Sequence, residues 1–252
     1  MTIPGAQARV PIRRILAVRR TLVVERTRAI SPTVRHLVLR TADGAPYDFL
    51  AGQWIKLYLP EGLERDYSLA APPSAERPDR LEIVVTRVEG GRGSEALHAL
   101  TEGARLESLG PSGLFVREAH HLTAPALYVG TGTGLGPLRA MLLEELARPD
   151  GTAPQVLLFG VRAEADLLFG DELRSLATRS PRFRFEPTLS RGSDGWTGRR
   201  GYVQTHVPEL MPALDGAHVY VCGLSRMTDE VRRVLRNELG VDRRFVHSER
   251  YD

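Results

Sequence analysis

Cysteine is nearly absent from these 252 residues: Cys222 is the only one. One thiol forbids an intrachain disulfide and cannot supply the four ligands of an iron–sulfur cluster. Zinc sites of the Cys-x-x-Cys kind fall by the same count. The seven histidines show no His-Glu-x-x-His spacing, which argues against a zinc hydrolase, and the sequence points to no metal. No run approaches the roughly 20 apolar residues of a membrane-spanning helix. The stretch Met1–Ile30 scatters arginines among its apolar residues, so it is not read as a secretory signal, and a cytoplasmic location without a membrane partner is expected. A basic-aromatic stripe is also missing, which argues against nucleic acid. What remains is a mildly basic chain, net charge +3 with pI near 9.3, suited to an acidic protein partner. At 42% apolar and 26% charged it has the makings of one large or two medium folded domains.

Two textures divide the chain. In the first half, Leu22–Arg28 and Val34–Arg40 alternate apolar with polar residues around Ser31-Pro32-Thr33, the pattern of antiparallel strands joined by a turn. Trp54–Leu59, Tyr67–Ala71, Leu81–Val88 and Leu106–Leu109 continue it. The connector Pro72–Arg80 separates two of them, and a short helix is expected at Glu95–Leu100 with Ser94 as its N-cap. Short strands at this spacing suggest an antiparallel barrel. Beyond about residue 122, apolar strands at Ala126–Val129, Val156–Gly160, Arg182–Thr188 and His218–Cys222 alternate with helical patterns at Leu138–Ala147, Asp171–Thr178 and Thr228–Leu239. Such alternation implies a parallel sheet with helices on both faces. The fold class expected is therefore a two-domain β + α/β chain, divided into residues 1–121 and 122–252.

The densest local signal is Gly130-Thr131-Gly132-Thr133-Gly134-Leu135-Gly136-Pro137, between a strand and a helix. Glycines let a backbone approach a phosphate, a helix start offers free N–H donors, and Pro137 suits the first helical position. The dinucleotide fingerprint G-x-G-x-x-G is not met, because Leu135 and Pro137 sit where its third glycine would have to fall, and no P-loop lysine follows. Arg65-Asp66-Tyr67-Ser68 offers a phosphate partner, a flat ring and a hydroxyl. Gly90-Gly91-Arg92-Gly93-Ser94, ahead of a helix, is a second candidate phosphate cradle.

Taken in order, Arg65-x-Tyr67-Ser68, Gly91-x-x-Ser94, Gly110-Pro111-x-Gly113, the Thr131–Pro137 turn, Cys222-Gly223-Leu224 and Glu249-x-Tyr251 resemble the ferredoxin–NADP reductase family, over nearly the whole chain from about residue 20. The resemblance implies an antiparallel FAD-binding β-barrel followed by a parallel-sheet α/β nucleotide-binding domain. It implies a flavin-dependent NAD(P)H oxidoreductase in which hydride exchange between NADP(H) and flavin N5 is coupled to one-electron transfer with a separate ferredoxin or flavodoxin. Arg65 would meet the FAD pyrophosphate, Tyr67 pack on the ring or ribityl chain, and Ser68 sit near N5. Gly91, Gly93 and Ser94 would form the second pyrophosphate contact. Thr131, Gly132, Thr133, Gly134 and Pro137 would receive the nucleotide pyrophosphate. Cys222, Gly223 and Glu249 would flank the nicotinamide, with Tyr251, which Asp252 follows, as an aromatic lid on the flavin. Ser68, Cys222, Glu249 and Tyr251 are the expected catalytic set, with Cys222 positioning the ring and not acting as a nucleophile.

Arg162, Ser190, Arg191 and Arg200, with Tyr202 and Gln204 behind them, resemble a set that grips a 2′-phosphate and stacks on adenine, which favours NADP(H) over NAD(H). Gly195-Trp196-Thr197-Gly198 looks more like the NADH-using oxygenase reductases. The alternatives are accordingly an NADH-dependent reductase component of a mono- or dioxygenase system, or a flavin- and nucleotide-binding subunit of a larger redox complex without independent turnover.

Overall fold

The computed structural model describes residues 15–251; residues 1–14 of the stretch read for a leader, and Asp252, lie outside them. Six antiparallel strands form the first sheet: β1 (Val18–Ala29), β2 (Val34–Thr41), β3 (Trp54–Leu59), β4 (Leu63–Ser68), β5 (Arg80–Thr86) and β6 (Arg105–Ser112), in the order β4-β3-β6-β1-β2-β5. The two outer strands come together at a bridge between Leu69 and Ile83, which curls the sheet toward a barrel. Period-2 alternation sends Leu22, Val24, Leu37, Leu39, Ile55 and Leu57 into one core, with Leu97 of helix α1 (Arg92–His98) as its plug.

Strand β4 begins earlier than its apolar residues suggest. The strand expected from Tyr67 starts at Leu63, and Leu63-Glu64-Arg65-Asp66 pairs with β3, because an edge strand can carry its charges into solvent. Helix α1 likewise starts three residues before the expected Glu95. Ser94 is therefore not an N-cap but lies in the first turn, where its hydroxyl accepts from the Val88 N–H at 3.0 Å and lies 2.9 Å from the Gly91 carbonyl.

The second sheet is wholly parallel: β7 (Ala126–Thr131), β8 (Gln155–Val161), β9 (Phe183–Leu189), the two-residue β10 (Arg199–Arg200), β11 (His218–Leu224) and β12 (Val246–Tyr251), ordered β10-β9-β8-β7-β11-β12. Successive residues of its central strands serve opposite faces. Tyr128, Leu157, Phe159, Tyr220 and Cys222 pack with helices α2 (Leu135–Ala147) and α3 (Gly170–Arg179). Leu127, Val129, Val156, Leu158, Val219 and Val221 pack with α4 (Val203–Leu210) and α5 (Ser225–Arg233). Pro137 is the third residue of α2, not the first; it still lies among the orphan donors of the first turn, where a missing N–H costs nothing.

Helix α2 is buried nearly all round, since its far side meets the barrel. Ala51, Ala70, Val84 and Phe115 belong to the same cluster as Leu135, Leu138 and Met141. A charged clamp reinforces that contact. The buried Arg139 donates to the Ala70 carbonyl at 2.6 Å, to Glu82 on β5 at 3.3 Å and to Glu172 on α3 at 2.9 Å. His36 donates to the same Glu82 carboxylate at 3.0 Å.

Burial alone would raise the Glu82 carboxyl, but the His36 hydrogen bond and the Arg139, His36 and Arg80 charges outweigh it and hold its pKa at about 2, against 4.5 ordinarily. A depressed folded-state pKa contributes stability that is complete above the unfolded value and is lost as pH falls through the folded one. We expect Glu82→Gln to be less stable than wild type near neutrality by about 3 kcal/mol, the order of cost for stripping one partner from a buried pair. The gap should narrow as pH drops from about 4.5 toward about 2; urea midpoints across that range provide the check, and a pH-independent gap would contradict it.

Candidate active site

Strand order reverses between β7 and β11, and in such sheets the crevice beyond the carboxyl ends at the reversal receives ligands. Here that crevice is walled by the Thr131–Gly134 turn and by Cys222-Gly223-Leu224 at the end of β11. The turn must lie against β11: a Cβ on Gly134 would stand 2.3 Å from the Cys222 carbonyl oxygen. Gly223, at φ +151°, is held as closely, with its Cβ position 2.5 Å from Thr131 Oγ1. That Thr131 hydroxyl is buried without a hydrogen-bond partner among the described residues.

The barrel closes the other side. A cleft of about 690 Å³ runs between the domains, lined by Arg65, Tyr67, Ser68, Gly91, Gly93 and Ser94 from the barrel and by Thr133, Glu249 and Tyr251 from the α/β half. This volume is within the range of small-molecule sites. Thr86 Oγ1 donates to Thr133 Oγ1 at 3.3 Å across it. Arg65 spends one donor on its neighbour's carbonyl, Glu64 O at 2.8 Å, and its stem lies on Gly93, where a Cβ would meet Cγ at 3.0 Å and Nε at 3.3 Å. Burial pushes the Tyr67 hydroxyl up to about 12, with Arg65 opposing.

At the domain junction Ser68 Oγ, ending β4, donates to Glu249 Oε1 on β12 at 3.0 Å. Burial raises the Glu249 carboxyl above its usual range, the Ser68 bond opposing. Cys222 is fully buried, and desolvation, then the Glu249 charge, push its thiol far up, so it stays protonated and is no nucleophile. Tyr251 sits beside Leu224 in register, half-buried against the α2 core. Its hydroxyl lies by Ser68 and Cys222 yet is buried without a hydrogen bond to either, and burial foremost raises its pKa.

The expected 2′-phosphate set is only partly assembled. Arg162 and Arg191 end adjacent strands, the Arg191 N–H bonding the Arg162 carbonyl at 2.8 Å, and both side chains are exposed with no ion pair among the described residues. Ser190 Oγ stands 3.5 Å from the Val161 carbonyl. Tyr202 is 66% exposed and free to stack on a ring, with Gln204 in the first turn of α4 behind it. Arg200 departs from the expectation. Its guanidinium is turned onto the carbonyls of Gly192, Ser193 and Trp196 at 2.6–3.0 Å, so it braces the loop that carries Trp196. Trp54, Val84 and Thr86 also line the cleft without having been singled out from sequence; their alternation marks strands, but nothing in their type marks a ligand.

The residues fit a flavin. Arg65 keeps unspent donors for a pyrophosphate, Gly93 lets the two approach, and the half-buried Tyr67 and Tyr251 line one cleft. A barrel with such a cradle, joined at a nucleotide crevice to a parallel sheet, defines a flavin-dependent oxidoreductase acting on NAD(P)H. The oxidoreductase FAD-binding domain family matches residues 21–116 and the oxidoreductase NAD-binding domain family residues 128–233. Ferredoxin–NADP reductase B of Sorangium cellulosum is 50% identical over 234 residues, spanning 89% of this chain and 94% of that protein, and the chain accordingly belongs to the ferredoxin–NADP reductase family. The reductase component of the naphthalene 1,2-dioxygenase system of Pseudomonas putida is 29% identical, over 88% of this chain but 66% of its own length. Among solved structures, the Amycolatopsis cytochrome P450 reductase GcoB superposes with a TM-score of 0.84 at 30% identity, covering 93% of this chain and 70% of that one. No helix among the described residues is long and apolar enough to cross a membrane.

Proposed function

We propose that this chain is a ferredoxin–NADP reductase that exchanges hydride between NADP(H) and FAD and single electrons with a separate ferredoxin or flavodoxin, in the cytoplasm. The observation that carries the reading is the meeting of Ser68 from the barrel with Glu249 and Tyr251 from the α/β half at one inter-domain cleft, with Cys222 buried beside Glu249 in register. We further propose the division of the chain near residue 121 into an FAD domain and a nucleotide domain. Bound FAD supplies the conversion between two-electron and one-electron chemistry; the chain supplies binding, orientation and charge. Arg65 and the Gly91–Ser94 loop hold the flavin's pyrophosphate, and Tyr67 packs on its ring system. The Thr131–Gly134 turn and the start of α2 receive the nucleotide's pyrophosphate at a helix N-terminus. Small groups at Cys222 and Gly223 leave room for the nicotinamide, which displaces Tyr251 to reach the flavin. Glu249, kept in place by Ser68, sets the charge beside that ring.

For the nucleotide, Arg162 and Arg191 with Ser190 support NADPH, since two uncommitted guanidinium groups suit a phosphate. A second reading, an NADH-dependent oxygenase reductase component, is favoured by the engagement of Arg200 with its own loop. Titration of the FAD-loaded protein distinguishes them. NADPH is expected to bleach the flavin bands at lower concentration than NADH, and Arg191→Ala is expected to lose about tenfold in kcat/KM for NADPH with NADH unaffected, about 1.4 kcal/mol of phosphate contact. Preferential bleaching by NADH would move the chain to the oxygenase-reductase branch, and a protein that binds no FAD would overturn the whole reading.

A further inference from the structure

At the end of the second sheet opposite the active site, four of the seven histidines gather. His121 belongs to the segment that leaves the barrel, His218 opens β11 and His247 lies near the start of β12. His120 and Glu118 stand at the rim. One nitrogen from each of His121, His218 and His247 falls within 4.8 Å of the others, although the three come from segments far apart in sequence, so no spacing motif announces them. We propose that these three histidines bind a divalent transition-metal ion of the zinc class, with the rim pair His120 and Glu118 able to complete a fourth position.

Geometry and chemistry support this together. Imidazole triads suit zinc, copper and nickel. Two nitrogens on a tetrahedral ion at about 2.0–2.1 Å stand about 3.3 Å apart, and His218 Nδ1 and His247 Nε2 are already 3.0 Å apart. His121 Nδ1 is 3.0 Å from the Tyr220 hydroxyl, an outer partner of the kind that orients a ligating ring and leaves Nε2 for a metal. His121 is stacked on His218 at 3.6 Å, so coordination swings it about χ2. The edge of Phe245 and the face of Tyr220 wall the cluster, at 5.1 Å from His218 and 4.8 Å from His247. Two cations stand near the cluster: Arg117, whose Nη2 donates to the His121 and Ala124 carbonyls at 2.9 and 2.6 Å and whose Nε is 3.7 Å from the Glu145 carboxylate, and Arg244, which lies over the Phe245 ring at 4.8 Å.

An ion here would tie the segment joining the two domains to β11 and β12. His218 and Cys222 are four residues apart on one strand, about 13 Å at 3.3 Å per residue, so the ion would brace the strands that present Cys222 and Glu249 without touching the reaction. The test uses FAD-loaded protein titrated with Zn²⁺ by calorimetry and with Cu²⁺ by electron paramagnetic resonance. One equivalent of Zn²⁺ with Kd near 1 µM or tighter, about 8 kcal/mol, and nitrogen splittings from two or three rings on Cu²⁺ are expected. His218→Gln and His247→Gln should each weaken Zn²⁺ at least tenfold, with His98→Gln as the unchanged control. Wild-type binding weaker than about 100 µM, or variants that bind Zn²⁺ as tightly as wild type, would overturn the site. Should the variants fold poorly, a wild-type copper spectrum without nitrogen splitting overturns it just as well.

Discussion

Gly134→Ala is expected to bind NADPH at least about 100-fold more weakly, about 2.7 kcal/mol, while its flavin stays bound. The added Cβ would stand 2.3 Å from the Cys222 carbonyl oxygen, 2.6 Å from its carbon and 2.8 Å from the Gly223 nitrogen. All three are backbone atoms, so no side chain can turn aside; the turn after β7 and the end of β11 must separate, which deforms the crevice at the strand-order reversal. The cradle of Arg65 and Gly93 is built on barrel elements that this overlap does not touch, so FAD is expected to stay bound. Gly132→Ala is the informative control. Its Cβ meets no atom within 4 Å, so only the left-handed φ of +53° is penalised, by about 1–2 kcal/mol. Nucleotide Kd values from calorimetry, read beside flavin absorbance, distinguish the two. Equal affinities for Gly134→Ala and wild type would remove the turn from the nucleotide site.

Replacing Glu249 by Gln is expected to lower kcat for NADPH oxidation by about 100-fold with little change in KM, the lower end of what a positioned ionisable group contributes. Gln retains an oxygen to accept the Ser68 hydroxyl, so the geometry survives and the charge does not. That charge matters because loss of hydride leaves the nicotinamide ring cationic, and a carboxylate in a dry site stabilises a developing cation far better than one in water. The sign of the pH effect follows. Burial raises the Glu249 pKa above 4.5, and the ionised form is the active one, so wild-type rate should climb as pH rises through that raised value. The Gln variant should lose this acid limb. Stopped-flow flavin reduction across pH checks both statements; an acid limb surviving in Glu249→Gln would assign it to another group.

Much of this was legible in residue order. Strand β3 and the strand–turn–helix around Gly130–Pro137 depend on local chemistry, in which alternation, glycine permissiveness and proline's fixed φ act within a few residues. Helix α4 was not legible, because Pro208 lies inside it and argues against a helix when read alone; packing of Val203, Val207 and Leu210 on the sheet overrides that preference. Strand β12 was missed for a similar reason. Val-His-Ser-Glu-Arg-Tyr has little apolar content, and it is a strand because β11 offers a parallel edge to pair with.

The site divides along the same line. Arg65, Tyr67, Gly91 and Gly93 stood out in the sequence only through the order of their motifs, since each residue type alone fits a solvated strand end or a plain turn; the structure brings them to one cleft. The Ser68–Glu249 bond joins residues 181 positions apart, Arg200 turns from a phosphate onto its own loop, and three histidines meet from distant segments. By itself the sequence determined an antiparallel half followed by an α/β half, a glycine-rich strand-to-helix turn and the lack of cysteine ligands for a cluster, since these follow from composition and short-range periodicity. Which side chains face one another across the cleft was decided only by the tertiary structure, because packing the barrel on α2 and pairing β12 with β11 set distances that no local preference encodes.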